Sequence, residues 1–302
     1  MTTQNLAVLL EKNIDAMIDT IDVAERSVAY EIGKHISSGK PDAKAISDYL
    51  VMQTESLDYV SFLRATNERG DVIYGKVLVS PPSTSSDRDY FLALRDNPIA
   101  SLFVGKPIMG RIDNKWAWPF SMRINKSDGS FGGVVFASAP IDEIERMFAQ
   151  MKLGSNSVIA LRDANMGIVA RKTFDAHNTV PIGDNNLSTP YKEALKKNPD
   201  EGTYISDTTN ADGFSRWYSY RRNPKYGFTV FVGIPINAVV DEWKSQAAIV
   251  VGALTIFIIA SLAYFRQARS EWLGQEQNRE ELAKLNEDLV QRELQVRQLA
   301  LN

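Results

Sequence analysis

The sequence predicts an α+β protein that crosses a membrane once, and three features carry that prediction. A helical apolar pattern runs through residues 5–36 without interruption until Gly33. From Tyr59 onward, short β-like runs alternate with turn residues, and two blocks of them resemble each other. Between Ala247 and Phe265 lies a mostly apolar stretch with no charged residue.

The first helix is read from Leu6, Leu10, Ile14, Met17, Ile21, Ala24, Val28 and Ile32, whose spacings of three and four place them on one helical face. It is long for a globular domain and suits a stalk packed along a folded body. Gly39-Lys40-Pro41 ends it, and Asp42 is placed to cap a second helix through about Ser56.

Tyr59 to Arg64 and Val72 to Tyr74 read as strands, joined through Asn67-Glu68-Arg69-Gly70-Asp71 as a hairpin. Trp116, Trp118, Phe120, Met122 and Ile124 alternate along a further strand, and Gly133 to Ala139 forms a buried one. The stretch Gly132 to Asp142 and the stretch Gly227 to Asn237 share a pattern: a glycine turn, an apolar strand, then Pro-Ile and an Asx residue opening a helix. Leu63-Arg64-Ala65-Thr66-Asn67 likewise answers Leu161-Arg162-Asp163-Ala164-Asn165 at nearly the same offset. Two copies of one α+β module are expected, spanning 45–145 and 146–238.

The stretch 247–265 reaches, at 1.5 Å per helical residue, about the 30 Å of a bilayer core. Arg266, Arg269 and Arg279 follow it, whereas Lys244 beside Asp241 and Glu242 precedes it, so residues 266–302 are expected in the cytoplasm and 1–246 outside. Trp243 and Trp272 flank the span. The opening Met1-Thr-Thr-Gln-Asn-Leu lacks a basic and then apolar export signal, so an upstream membrane helix is expected. The chain also stops within a helical pattern at Asn302. No proline or glycine interrupts 237–251, so a juxtamembrane helix over 239–246 should run continuously into the span. Beyond it, Leu282, Leu285, Leu289, Val296 and Leu299 fall on the a and d positions of a heptad, with Arg292 the polar exception. A short coiled coil and a parallel homodimer are expected there.

Composition narrows the function. A net charge of −3 without a long basic stripe gives no argument for nucleic acid. The absence of cysteine excludes disulfides, thiolate metal sites and cysteine nucleophiles. His35 and His177 are read as structural or solvated. Asp207 to Gly213 looks superficially like a calcium loop, but its oxygen spacing fails the EF-hand pattern. No phosphate-binding loop, zinc-protease helix or nucleophile elbow is present, so no catalytic residue, metal ligand or cofactor site is assigned.

The order of elements, with Ser86-Asp87-Arg88-Asp89-Tyr90-Phe91, Gly105 to Arg111 and Asp128 to Val135, resembles the double-Cache (tandem PAS-like) extracellular sensors of bacterial signalling proteins over residues 2–245. The resemblance implies a stalk helix with the start of a second helix over 1–44, a membrane-distal module over 45–145 and a membrane-proximal one over 146–238. It also implies a small ligand in the distal module and a cytoplasmic output of histidine kinase, diguanylate cyclase, phosphodiesterase or chemoreceptor type downstream. The amino-acid-binding branch carries an Arg-x-Trp-Tyr pattern. Here Arg88-Asp89-Tyr90-Phe91 keeps the arginine and replaces both aromatics, and Ser138 stands where an amine-binding aspartate would be expected. The resemblance therefore favours a small organic acid over an amino acid.

Chemistry alone makes the same suggestion, because a guanidinium is a planar, permanently charged fork for a carboxylate. Expected ligand contacts are Arg88, Tyr90 and Phe91 on one wall and Trp116 and Trp118 on another. Lys106, Arg111, Phe136 and Ser138 complete the set. The competing reading is a membrane-anchored module that binds another protein; an exposed apolar patch without a cavity would favour it.

Overall fold

In a computed structural model of the chain, residues 3–99, 101–175, 180–206 and 213–299 are described, without the side chains of 237–242, 245 and 291–299. His177, Asp207 to Asp212, Arg292, Val296 and Leu299 thus fall outside what the structure describes. The chain divides into two compact units, Met1–Ala238 and Val239–Asn302.

Within the first unit, α1 (Thr3–Ser37) is a single helix of 35 residues. Its predicted apolar face, Leu6, Leu10, Ile14, Met17, Ile21, Ala24, Val28 and Ile32, is buried throughout. After it, α2 (Ala43–Glu55) starts at Asp42, whose carboxylate accepts from the backbone amides of Lys44 and Ala45 at 3.0 Å each. Capping satisfies two amides that the helix itself leaves open.

The first sheet is assembled from β1 (Phe62–Thr66), β2 (Val72–Gly75), β3 (Phe103–Val104), β4 (Ile108–Met109), β5 (Trp116–Asn125) and β6 (Phe131–Pro140). Its order is β2-β1-β6-β5-β3, with β4 also paired to β5, and the pairs are antiparallel. The β1–β2 turn is held by Asn67, whose side-chain oxygen accepts from the amides of Arg69 and Asp71 at 2.9 Å each. Between β2 and β3 lies the helix α3 (Asp89–Asp96), and α4 (Ile141–Ala149) follows β6.

The second sheet is assembled from β7 (Val158–Arg162), β8 (Ile168–Thr173), β9 (Glu201–Ile205), β10 (Arg216–Arg222) and β11 (Thr229–Pro235), with α5 (Thr189–Lys197) between β8 and β9. Its order is β8-β7-β11-β10-β9. Position for position this is the order of the first sheet, with β7 in the place of β1 and β11 in that of β6.

One helix serves both sheets. α1 packs on β5 and β6 of the first and on β10 and β11 of the second. Period-2 alternation sends Trp118, Phe120, Met122, Val135 and Ala137 to this side in one sheet, and Ile159, Leu161, Val230 and Val232 in the other. Polar contacts fix the register of α1. Asn223 donates to Glu11 at 2.6 Å and to Asp15 at 2.8 Å, and Tyr226 and Lys225 reach Asp19 at 2.6 and 2.7 Å. Gly33 lets α1 approach β5; a Cβ there would lie 2.3 Å from the carbonyl oxygen of Asn125.

α6 (Ile236–Leu299) follows β11 directly as one helix of 64 residues. At 1.5 Å per residue it is about 96 Å long, roughly three times a bilayer core. Its apolar part is the one described helix long and apolar enough to cross a membrane, with a mean hydropathy of 2.4 in its most apolar window. Leu282, Leu285 and Leu289 are exposed on it.

Candidate functional site

The face of the first sheet turned away from α1 carries the residues of opposite parity: Phe62 and Arg64 on β1, Ala117 and Pro119 on β5, Phe136 and Ser138 on β6. α3 and the segments before α3 and after β4 close over this face. They enclose a cavity of about 50 Å³, enough for a few water molecules. A second cavity of about 230 Å³ adjoins it, and Arg88, Tyr90, Ile108, Arg111 and Pro119 line both. Those five residues form the partition between the two spaces.

Arg88 stands immediately before α3 and donates to the carbonyl of Met109 at 2.9 Å. It has no carboxylate partner among the described residues. Arg111 is differently placed. It grips both oxygens of Asp87 at 2.8 and 2.6 Å and donates to the Thr84 carbonyl at 2.6 Å. Those hydrogen bonds hold the Asp87 carboxyl down at about 2. The pair is exposed, so water replaces it at little cost. Lys106 pairs with Asp89 at 2.7 Å beside the second cavity, without reaching the first.

Tyr90 is buried, and its hydroxyl bonds Ser85 at 3.0 Å. Its ring lies 5.7 Å from that of Phe136. Burial pushes its phenol pKa upward. Ser138 lines the cavity beside Phe136, as expected for residues two apart on one strand.

Three of the expected contacts lie elsewhere, and the pleat explains why. Trp118 shares parity with Phe120 and therefore faces α1; it is fully buried, with Nε1 donating to the Gly105 carbonyl at 2.8 Å. Its ring meets Phe228, next to the second sheet, edge-on at 6.2 Å. Trp116 is 39% exposed at the start of β5, outside both cavities. Phe91 packs against Phe131 at 5.5 Å in a small cluster with Leu94 and Val134. A helical residue next to Tyr90 points about 100° away from it, so Tyr90 and Phe91 do not share a wall.

Sequence reasoning missed Arg64. Its guanidinium is buried, lies 3.8 Å over the Phe62 ring and donates from Nε to the Lys76 carbonyl at 3.1 Å. Burial lowers its pKa without discharging it. The signal was present in Phe62-Leu63-Arg64, where the arginine has the parity of Phe62. Arg64, Arg88 and Arg111 thus surround the smaller cavity, against Asp113 as its carboxylate among the described residues. Asp87 already neutralises Arg111, so the remaining positive charge about this cavity is that of Arg64 and Arg88. A larger cavity of about 420 Å³ lies over the second sheet.

No protein-family model matches the sequence, and no curated protein matches it. Solved structures do. The extracellular domain assigned to a histidine kinase, rpHK1S-Z16, superposes with a TM-score of 0.67 at 22% identity, covering 78% of this chain and 94% of that one. The ligand-binding domain of the Campylobacter jejuni chemoreceptor Tlp3, in complex with L-valine, gives a TM-score of 0.54 at 16% identity over 78% of this chain and 92% of that one. The extracellular domain assigned to another histidine kinase, mmHK1S-Z2, gives 0.57 at 12% identity over 77% and 95%. The chain therefore has the fold of the extracellular sensory domains of histidine kinases and chemoreceptors.

Proposed function

We propose that this chain is the sensing and membrane-spanning part of a signalling receptor, and that it takes a small organic acid at the first sheet. The observation that carries the reading is the ring of Arg64, Arg88 and Arg111 about one cavity, with Arg88 held by a carbonyl and, among the described residues, no carboxylate. A ligand carboxylate would replace the Met109 carbonyl on Arg88, and moving the partition would merge the two cavities into a space of ligand size. The fold supports sensing, since its structural neighbours are ligand-binding and sensory domains.

In this reading residues 45–145 form the membrane-distal module and 146–238 the proximal one, both outside the membrane. Residues 247–265 span the bilayer, and 266–302 pair with a second copy in the cytoplasm. The exposed Leu282, Leu285 and Leu289 favour that pairing. α6 runs from Ile236 to Leu299 as one helix, which would give a signal a continuous helical route. The ligand must bind two arrangements of the dimer unequally to drive a response. Catalysis would belong to an output domain beyond residue 302.

The test is thermal unfolding of the full chain in lipid nanodiscs with acetate, lactate, succinate and L-valine, for wild type and Arg88→Ala. A carboxylate should raise the melting temperature of wild type. Loss of one charge-assisted contact should weaken its binding roughly 10- to 100-fold in the variant. Equal shifts in both proteins would remove Arg88 from the site. A larger effect of L-valine than of lactate would refute the preference for an acid.

A further inference from the structure

We propose that the cavity over the second sheet is a second ligand site, built for a small organic anion with an apolar or aromatic body. The inference stands independently of the first cavity. At about 420 Å³ this space already has the size of a small-molecule pocket and needs no movement to admit a ligand.

Register places its walls. Arg171 lies directly across from Ala160, which lies across from Phe231, and two residues along the same face Tyr218 lies between Gly233 and Tyr204 on the neighbouring strands. All sit on the face opposite α1. Small residues create the room: Ala160 is the floor of β7, and the Tyr218 ring lies across Gly233, where a Cβ would come within 2.4 Å of it. Tyr204 stacks on Tyr218 at 5.2 Å with the rings 8° apart, and Tyr191 from α5 meets Phe231 edge-on at 4.9 Å. One side of the cavity is thus aromatic.

The polar groups specify the sign of the ligand. Arg162, at the end of β7, donates to the backbone carbonyls of Met166, Asp184 and Asn186. Carbonyls orient the guanidinium but leave its charge uncompensated, and it forms no ion pair among the described residues. The buried Arg171 adds a second guanidinium to the lining. Among the described residues Asp184 is the acidic one of the lining, and its carboxylate accepts from the Asn186 side chain at 2.6 Å. The hydroxyls of Tyr204 and Tyr218 find no hydrogen-bond partner among the described residues, although both rings line the cavity. Two hydroxyl donors beside the Arg162 guanidinium suit a carboxylate, and its organic body would lie on the tyrosines. An amine would meet like charge.

The test uses fluorine NMR of fluorobenzoate, with fluorobenzylamine as the cationic control, on the full chain in lipid nanodiscs. Saturable line broadening by fluorobenzoate is expected in wild type and equally in Arg88→Ala. Tyr204→Phe combined with Tyr218→Phe, which removes only the unpartnered hydroxyls, should weaken it tenfold or more, and Ala160→Phe should abolish it by filling the floor. Arg171→Gln should weaken it at least as much. Unchanged titrations in all three second-sheet variants, equal binding of the amine, or no broadening in wild type would each overturn the proposal. Loss in Arg88→Ala alone would move the anion to the first cavity, overturning this site and leaving the proposed function intact.

Discussion

Replacing Trp118 distinguishes a core residue from a ligand contact. The indole is fully buried between α1 and β5, meets Phe228 edge-on and donates to the buried Gly105 carbonyl. Trp118→Phe keeps most of the ring and strands one carbonyl, which costs about 1–3 kcal/mol. Trp118→Ala adds a cavity the size of the indole, for which truncations of large aromatics cost about 3–5 kcal/mol. Together with the stranded carbonyl the loss is about 5 kcal/mol. For a unit of this size, 1 kcal/mol moves the midpoint by about 2–4 °C, so the alanine variant should melt roughly 10–20 °C lower. The measurement is thermal unfolding of the full chain in detergent, followed by far-UV circular dichroism without ligand. A variant within about 1 kcal/mol of wild type would refute the packing argument. If that variant also lost acid binding, Trp118 would return to the ligand wall.

Two further changes probe the helix that joins the sheets. Gly33→Ala should gain about 1 kcal/mol in helix propensity yet destabilise the chain by about 1–3 kcal/mol net, because the added Cβ meets the Asn125 carbonyl. Gly274→Ala, in open space on α6, serves as the control, and a stabilised Gly33→Ala in urea unfolding would show that α1 does not seat on β5 as described. Glu25 is buried on α1 with one oxygen accepting from the Ala137 amide at 2.6 Å and the other without a partner. Burial raises its carboxyl pKa well above the ordinary 4.5, and nearby Asp22 adds to the effect. The stability contribution of a raised acid is complete below about 4.5 and is lost as pH rises through the folded value. Glu25→Gln should therefore gain stability over wild type as pH increases from 4.5 toward 8. A difference independent of pH in that window would refute an ionising Glu25.

Local pattern alone determined much of this protein. The spacing of Leu6 through Ile32 gave α1 and its buried face, Asp42 gave the start of α2, and Asn67 to Asp71 gave the β1–β2 turn. These features depend on contacts between residues close in sequence, and one period or one capping side chain is enough to reveal them. The apolar stretch 247–265 was equally legible as part of a continuous helix. Tertiary structure decided which of two strand faces turns toward α1. Trp118 and Phe136 are both large aromatics on adjacent strands, and composition made them equal candidates for a pocket. Pairing Trp118 with Ala139 and Ser121 with Phe136 sends one to the core and the other to the cavity. Arg64 and the second cavity stayed hidden for the same reason. A site made by Arg162, Arg171, Tyr204 and Tyr218 exists only after β7, β8, β9 and β10 are laid side by side through β11, since the side chains are distant in sequence and neighbours only across the ladder.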